Sequence, residues 1–185
     1  MGDRLTDAAA LLPAAAGFDV IGYACTSATA QLGANSIRNR IAAGIATRTV
    51  TDPLTAVLAQ IASLGLSRVG VISPYAPQVT APLLAAFAGA GITVPDTLSF
   101  NESTEARVAR SDPAATFAAA ERLAARTPMD GLFLSCTTLQ TLPLLRPLQT
   151  ALGIPVLSSN HALAWHMAQL AGVPLNPLPN ERSTT

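Results

Sequence analysis

Five short apolar runs, each closing on small polar residues, alternate along this chain with segments of helical pattern. They are FDVIGYAC (18–25), RVGVISPY (68–75), ITVPDTLSF (92–100), GLFLSCT (131–137) and IPVLSS (154–159). Runs of this length, rich in β-branched or aromatic residues and lacking clean polar alternation, suit strands covered on both faces. The segment TDPLTAVLAQIASLG (51–65) predicts a helix, with Thr51 or Asp52 as its cap, Pro53 in its first turn and Gly65 at its end. Residues 77–91 and 112–126 follow the same rules. Residues 138–153 carry two prolines, so that helix is expected to be irregular at its start or middle. Residues 160–172 open on Asn160 as a cap and close at Gly172, and the opening MGDRLTDAAALLPAAAG reads as a helix.

Strand and helix alternating in this way predict a parallel α/β fold. In such sheets ligands bind beyond the carboxyl ends of the strands. The residues that close the five runs are therefore the candidates for chemistry: Cys25-Thr26-Ser27, Ser73-Pro74-Tyr75, Phe100-Asn101-Glu102, Cys136-Thr137-Thr138 and Ser158-Ser159-Asn160.

Composition removes several classes of function. All eleven basic residues are arginine and none is lysine, so a Schiff base to pyridoxal phosphate and a Walker-type phosphate loop both lack their amine. Charged residues make up 12% of the chain, the formal net charge is zero and aromatics make up 4%. A basic surface for nucleic acid and a base-stacking platform are both missing. The mean hydropathy of +0.39 comes mainly from alanine, and no uncharged apolar run reaches the length of a membrane span. Asp3 and Asp7 interrupt the region where a secretion signal would be basic and then apolar. The expectation is a cytoplasmic protein with no membrane partner, whose two cysteines are free thiols.

Those two cysteines occupy similar settings. IGYACTSATAQLG and LFLSCTTLQTLP each run from an apolar strand through a small residue into Cys-Thr-(Ser/Thr) and then toward a helix start. Two such units facing one another across a pseudo-two-fold axis would direct both thiols into one cleft. A helix N-terminus favours the thiolate, and the amides and hydroxyls of Thr26, Ser27, Thr137 and Thr138 can hold carboxylate oxygens. A thiol pair of this kind can exchange a proton at opposite faces of one carbon. Alternatively, one thiolate adds to an activated double bond while the other thiol protonates the neighbouring carbon.

Other residues read more plainly. His161 and His166 are five apart and do not share a helix face, so a metal pair is not expected. His161 alone, beyond a strand end, is a candidate for bordering the site. Trp165 reads as core packing, and Glu102 and Glu105 read as solvated charges, with Glu102 the nearer to Asn101. The glycines at 89 and 91 mark a helix end rather than a dinucleotide loop.

The ordered set DVIGYACTSAT, LGLSRVGVISPY, GLFLSCTTLQT and LGIPVLSSNHALAWH resembles the aspartate/glutamate racemase superfamily, within it the branch of maleate cis–trans isomerases and arylmalonate decarboxylases. The resemblance covers about residues 18 to 173. It implies two pseudo-symmetric α/β lobes of parallel sheet flanked by helices, with the active site between them and neither cofactor nor metal. Residues 1–67 with 154–175 would form the first lobe, 68–153 the second, and 176–185 a tail. It also implies a homodimer acting on a small carboxylate, with Cys25 and Cys136 as catalytic thiols. Tyr75, Thr26, Ser27 and Thr137 would be carboxylate-holding positions, and Asn101 a substrate contact.

Cys-Thr-Ser and Cys-Thr-Thr look more like the isomerase branch than the Cys-Asn-Thr usual in amino-acid racemases, and the decarboxylases typically keep only the second cysteine. The expected function is therefore maleate-to-fumarate isomerisation. The alternatives are amino-acid or hydantoin racemisation, arylmalonate-type decarboxylation, and a truncated non-catalytic binding protein. The last arises because family members begin earlier, with a strand ending in a Pro-Ser-x-Asn type motif. The resemblance implies a first lobe lacking that N-terminal strand.

Overall fold

The computed structural model describes residues 4–174, so the expected tail at 176–185 lies outside the described residues. Among the described residues, six strands form two parallel sheets. β1 (Phe18–Gly22) pairs with β2 (Thr47–Thr51). The second sheet has the order β4-β3-β5-β6, from β3 (Val69–Tyr75), β4 (Thr97–Glu102), β5 (Gly131–Leu134) and β6 (Val156–Ser158). Every pairing is parallel. The α/β class and the parallel sheets flanked by helices are thus as expected from the alternation.

Three strand details differ from the sequence reading. β2 is a strand that the apolar-run criterion passes over, because Thr-Arg-Thr-Val-Thr buries only its last two residues fully. β4 starts later than the run 92–100. Before it only Thr93 makes an isolated bridge, to Arg68; Pro95 has no N–H for a ladder. The segment 154–175 divides: β6 joins β5 in the four-stranded sheet, while the helix after it packs on β1, β2 and the helix at 53–63.

The helices are α1 (Leu5–Ala9), α2 (Thr26–Leu32), α3 (Ala34–Gly44), α4 (Pro53–Ser63), α5 (Pro77–Gly89), α6 (Glu105–Val108), α7 (Pro113–Arg126), α8 (Leu142–Leu152) and α9 (Ser159–Ala171). The opening segment is not one helix. After α1 the chain reaches Pro13 and makes a single 3-10 turn at Ala14–Ala16. Asp52 is the cap of α4, accepting from Thr55 N at 2.8 Å, and Thr51 instead ends β2. Ser158 rather than Asn160 caps α9, its hydroxyl accepting from His161 N at 3.3 Å.

The four-stranded sheet is covered on both faces, as its apolar strands require. One layer joins Val57 and Ile61 of α4, Val69 and Val71 of β3, Leu83 and Phe87 of α5, and Phe133 of β5. The other joins Ile72, Leu132 and Leu134 to Ala119 and Leu123 of α7 and Leu145 and Leu148 of α8. Each fully buried side chain of this size contributes about 1.5–3 kcal/mol. A third cluster, with Ile37 and Ile41 of α3, Ile45 and Val50, carries the small sheet. α9 lies close on β1 at Gly22, where an added Cβ would come within 2.5 Å of Met167 Sδ. Ser159, at the start of α9, hydrogen bonds to Thr26 and to Cys136 N beside the ends of β1 and β5.

Candidate active site

A cleft of about 420 Å³ opens at the carboxyl ends of β1, β3 and β5. Both cysteines line it. Cys25 follows β1 and is the N-cap residue of α2, with extended backbone (φ −146°, ψ 105°). Its carbonyl accepts from Thr29 N at 3.1 Å and from Thr29 Oγ1 at 2.8 Å, so the turn that presents the thiol is fixed from its own helix. Cys25 Sγ lies 3.7 Å from Ser27 Oγ. Tyr23 is hydrogen bonded to Cys25, and its pKa is raised by burial first and then by that cysteine.

Cys136 is held differently, although the two local sequences look alike. The chain after β5 does not enter a helix at once: α8 begins only at Leu142. Residues 137–141 form a loop in which Leu139 is buried against Val108 and Cys136, and Gln140 Nε2 donates to Ala109 O at 2.7 Å. The expected helix start therefore holds for Cys25 and not for Cys136. Cys136 instead takes a positive φ of 123°, a conformation that costs a residue with a Cβ about 1–3 kcal/mol. It is 4% exposed, and its Sγ accepts from Thr138 N at 3.3 Å.

Hydrogen bonds tie the two thiol-bearing turns together. Thr26 Oγ1 donates to Ser159 Oγ at 2.8 Å, and Cys136 N donates to the same oxygen at 3.0 Å. Thr137 Oγ1 donates to Ala24 O at 3.0 Å, and Asn160 Nδ2 donates to Thr137 O at 2.8 Å. The hydroxyl protons of Thr26 and Thr137 thus go into the framework.

Tyr75, at the end of β3, reaches across the cleft. Its hydroxyl donates to Glu105 Oε2 at 2.6 Å and lies 3.2 Å from Cys136 Sγ. Thr138 Oγ1 donates to the other oxygen of Glu105. Burial raises the Tyr75 pKa, and the bonds to Cys136 and Glu105 push it further, so the phenol keeps its proton. Ser99 Oγ holds the Tyr75 carbonyl, and Ser73 Oγ accepts from Tyr75 N at 3.3 Å.

Of the residues expected at a site, Cys25, Thr26, Ser27, Tyr75, Cys136, Thr137 and Thr138 all line the cleft. Asn101 and His161 do not. Asn101 is exposed at the end of β4, at φ 55°, with its N–H donating to Ser99 Oγ. His161 sits in the first turn of α9, its N–H donated to Ser158. Glu105 corrects the sequence reading: it faces the cleft rather than solvent alone, because α6 lays it over Tyr75 and Thr138. Glu102 is the charge that stays outside, accepting from Ser103 N and Thr104 N and pairing with Arg107 at 3.8 Å. Ser73, Thr80 and Ser135 complete the polar wall, and Val79 and Leu83 give it an apolar side. Among the described residues, no cluster of three or more His, Cys, Asp or Glu side chains is placed to hold a metal ion.

Fold and cleft together define a two-sheet parallel α/β protein with a pair of thiols at its strand ends. That class is populated by close structural relatives. A cysteine-to-alanine variant of the maleate isomerase Iso from Pseudomonas putida, solved with maleate, superposes with a TM-score of 0.83 at 25% identity, over 93% of this chain and 71% of that one. A double mutant of arylmalonate decarboxylase in its liganded form superposes at 0.84 with 28% identity, over 95% and 75%. The arylmalonate decarboxylase family model matches residues 2–182, and the chain belongs to that family. Among curated proteins, arylmalonate decarboxylase of Bordetella bronchiseptica is 32% identical over 123 residues, 66% of this chain and 51% of the relative. Maleate isomerase of Geobacillus stearothermophilus is 26% identical over 169 residues, 85% and 65%. The chain therefore spans between about half and two thirds of the length of these curated relatives. No described helix is long and apolar enough to cross a membrane.

Proposed function

We propose that the protein is a two-thiol isomerase of a small cis-unsaturated dicarboxylate, of the maleate-to-fumarate type. The observation that carries this reading is that Cys25 and Cys136, from different sheets, line one cleft of about 420 Å³. Cys25, as thiolate, adds to one olefinic carbon, and Cys136 gives its proton to the neighbouring carbon. The central bond is then single and rotates. Cys136, now the thiolate, takes the proton back, the Cys25 sulfur leaves, and the trans alkene is released. Ser27 and the backbone amides of Thr26 and Ser27 hold the carboxylates, since the Thr138 hydroxyl is given to Glu105 and its N–H to Cys136. The likeness to maleate isomerases in sequence and structure supports the reading.

The test is proton NMR of maleate with the full-length protein. Fumarate forms with the wild type, and neither Cys25→Ser nor Cys136→Ser forms it. Absence of fumarate with the folded wild type would end the proposal.

A second reading is decarboxylation of an arylmalonate, which uses one thiol. Loss of carbon dioxide leaves an enolate that Cys136 protonates. The family match and the apolar side of the cleft, Val79 and Leu83, favour it. Release of carbon dioxide from phenylmalonate by Cys25→Ser as well as by the wild type distinguishes this chemistry from the first.

A further inference from the structure

The phenol of Tyr75 has a single proton, and two neighbours compete for it. Glu105 Oε2 lies 2.6 Å away and Cys136 Sγ 3.2 Å away. A carboxylate offers only lone pairs, so the short contact to Glu105 takes the phenolic proton. Toward the sulfur, Tyr75 then presents an oxygen lone pair. That contact is favourable only when the sulfur supplies the proton. The acceptor side of the sulfur is already used by Thr138 N–H at 3.3 Å. Glu105 is itself held in place by the Thr138 hydroxyl on its second oxygen. The four groups thus form a one-way chain: Thr138 N–H to sulfur, S–H to phenol oxygen, phenol O–H to carboxylate.

We propose that Glu105 is a positioning residue for Cys136: by holding the Tyr75 proton it makes the phenol an acceptor and keeps Cys136 in the cleft as the thiol. This rests on the reading of Cys136 as the acid of the site. In turnover Cys136 gives its proton to carbon, the thiolate keeps its Thr138 N–H, and the same proton returns from carbon to sulfur. Tyr75 and Glu105 end unchanged. The titratable groups lining the cleft with Cys136 are Tyr75, Glu105 and Cys25; Val108 and Leu139 close its remaining side. Arg107, on the same short helix, pairs with Glu102 at 3.8 Å. Burial of the phenol keeps Tyr75 neutral, as the chain requires.

The test is the rate of Cys136 alkylation by iodoacetamide, followed by peptide mass spectrometry from neutral to alkaline pH in the full-length protein. Glu105→Gln removes the charge and keeps an acceptor for the phenol. Glu105→Ala removes both, freeing the phenol to donate to the sulfur and favour thiolate. Glu105→Ala is expected to react roughly tenfold faster than Glu105→Gln at neutral pH. In a Tyr75→Phe background the two variants should react alike. Equal rates with Tyr75 present, or a difference that survives Tyr75→Phe, would overturn the proposal, since simple loss of bulk or charge does not depend on the phenol. The expected alkylation pattern in a protein that leaves maleate unchanged would count against the isomerase reading while upholding the positioning role.

Discussion

Thr26 donates its hydroxyl proton to Ser159 across 2.8 Å, in a spot where both residues are buried. The same serine oxygen accepts Cys136 N–H at 3.0 Å. One hydroxyl at the start of α9 therefore sets the turn after β1 and the turn after β5 in a common register. Replacing it by alanine leaves two buried donors without an acceptor, at a cost of about 1–3 kcal/mol. Urea denaturation of Ser159→Ala should show that loss, with maleate turnover reduced as the thiols lose their register. An unchanged midpoint would mean that the two turns are held elsewhere.

Cys136 has a strained backbone. Its φ of 123° suits glycine. Of two variants that both lack the thiol, Cys136→Gly should be more stable than Cys136→Ala by about 1 kcal/mol, because only the alanine keeps the backbone strain. Chemical denaturation of the pair gives the order directly. Neither should turn over maleate.

The cap of α4 gives a simpler case. Asp52 is 3% exposed and accepts from both Thr55 N at 2.8 Å and Thr55 Oγ1 at 2.7 Å. Asp52→Ala is expected to lower stability by about 1–2 kcal/mol, whereas Asp52→Ser, which keeps one acceptor, should lose less. The urea midpoints of the two variants rank them.

His166 predicts a pH dependence. Burial lowers its pKa below the ordinary 6.5, with Asp52 pulling weakly the other way, and its Nδ1 lies 2.8 Å from Thr51 Oγ1. The folded state therefore favours the neutral ring. Its contribution is complete above pH 6.5 and is lost as pH falls through the lower folded value, because the unfolded chain takes up the proton first. Stability measured between pH 7.5 and 5.5 should decline, and His166→Gln should flatten that slope.

How much of this was legible in sequence depends on the range of the interactions. Cys25 and Cys136 stand at the ends of apolar runs, so the place of each at the carboxyl edge of a parallel sheet is readable, whereas their meeting across two sheets depends on the Ser159 bonds to Thr26 and Cys136. Tyr75 closes β3 and is readable in the same way. β2 was not readable, because Thr-Arg-Thr-Val-Thr takes its strand identity from pairing with β1 rather than from its own pattern. The delayed start of α8 depends on Leu139 burying against Val108, a contact between distant segments. Glu105 is the clearest loss. In Ser-Thr-Glu-Ala-Arg it looks like any surface charge, and only the placement of α6 over Tyr75 and Thr138 gives it a role. Asn101 and His161 differ in the other direction: Asn101 lies within β4 and His161 in the first turn of α9, and each gives its backbone N–H to a serine while not lining the cleft.

The account depends on both thiols reaching one substrate molecule. Peptide mass spectrometry of the full-length Cys136→Ser variant after incubation with maleate tests this most directly. In this variant solvent water has to supply the proton that completes the adduct, and no Cys136 thiolate is present to take it back, so a succinyl adduct should accumulate on Cys25, while the wild type releases fumarate and carries little adduct. Turnover undiminished in Cys136→Ser, or no adduct on Cys25 in a folded sample, would contradict the two-thiol reading.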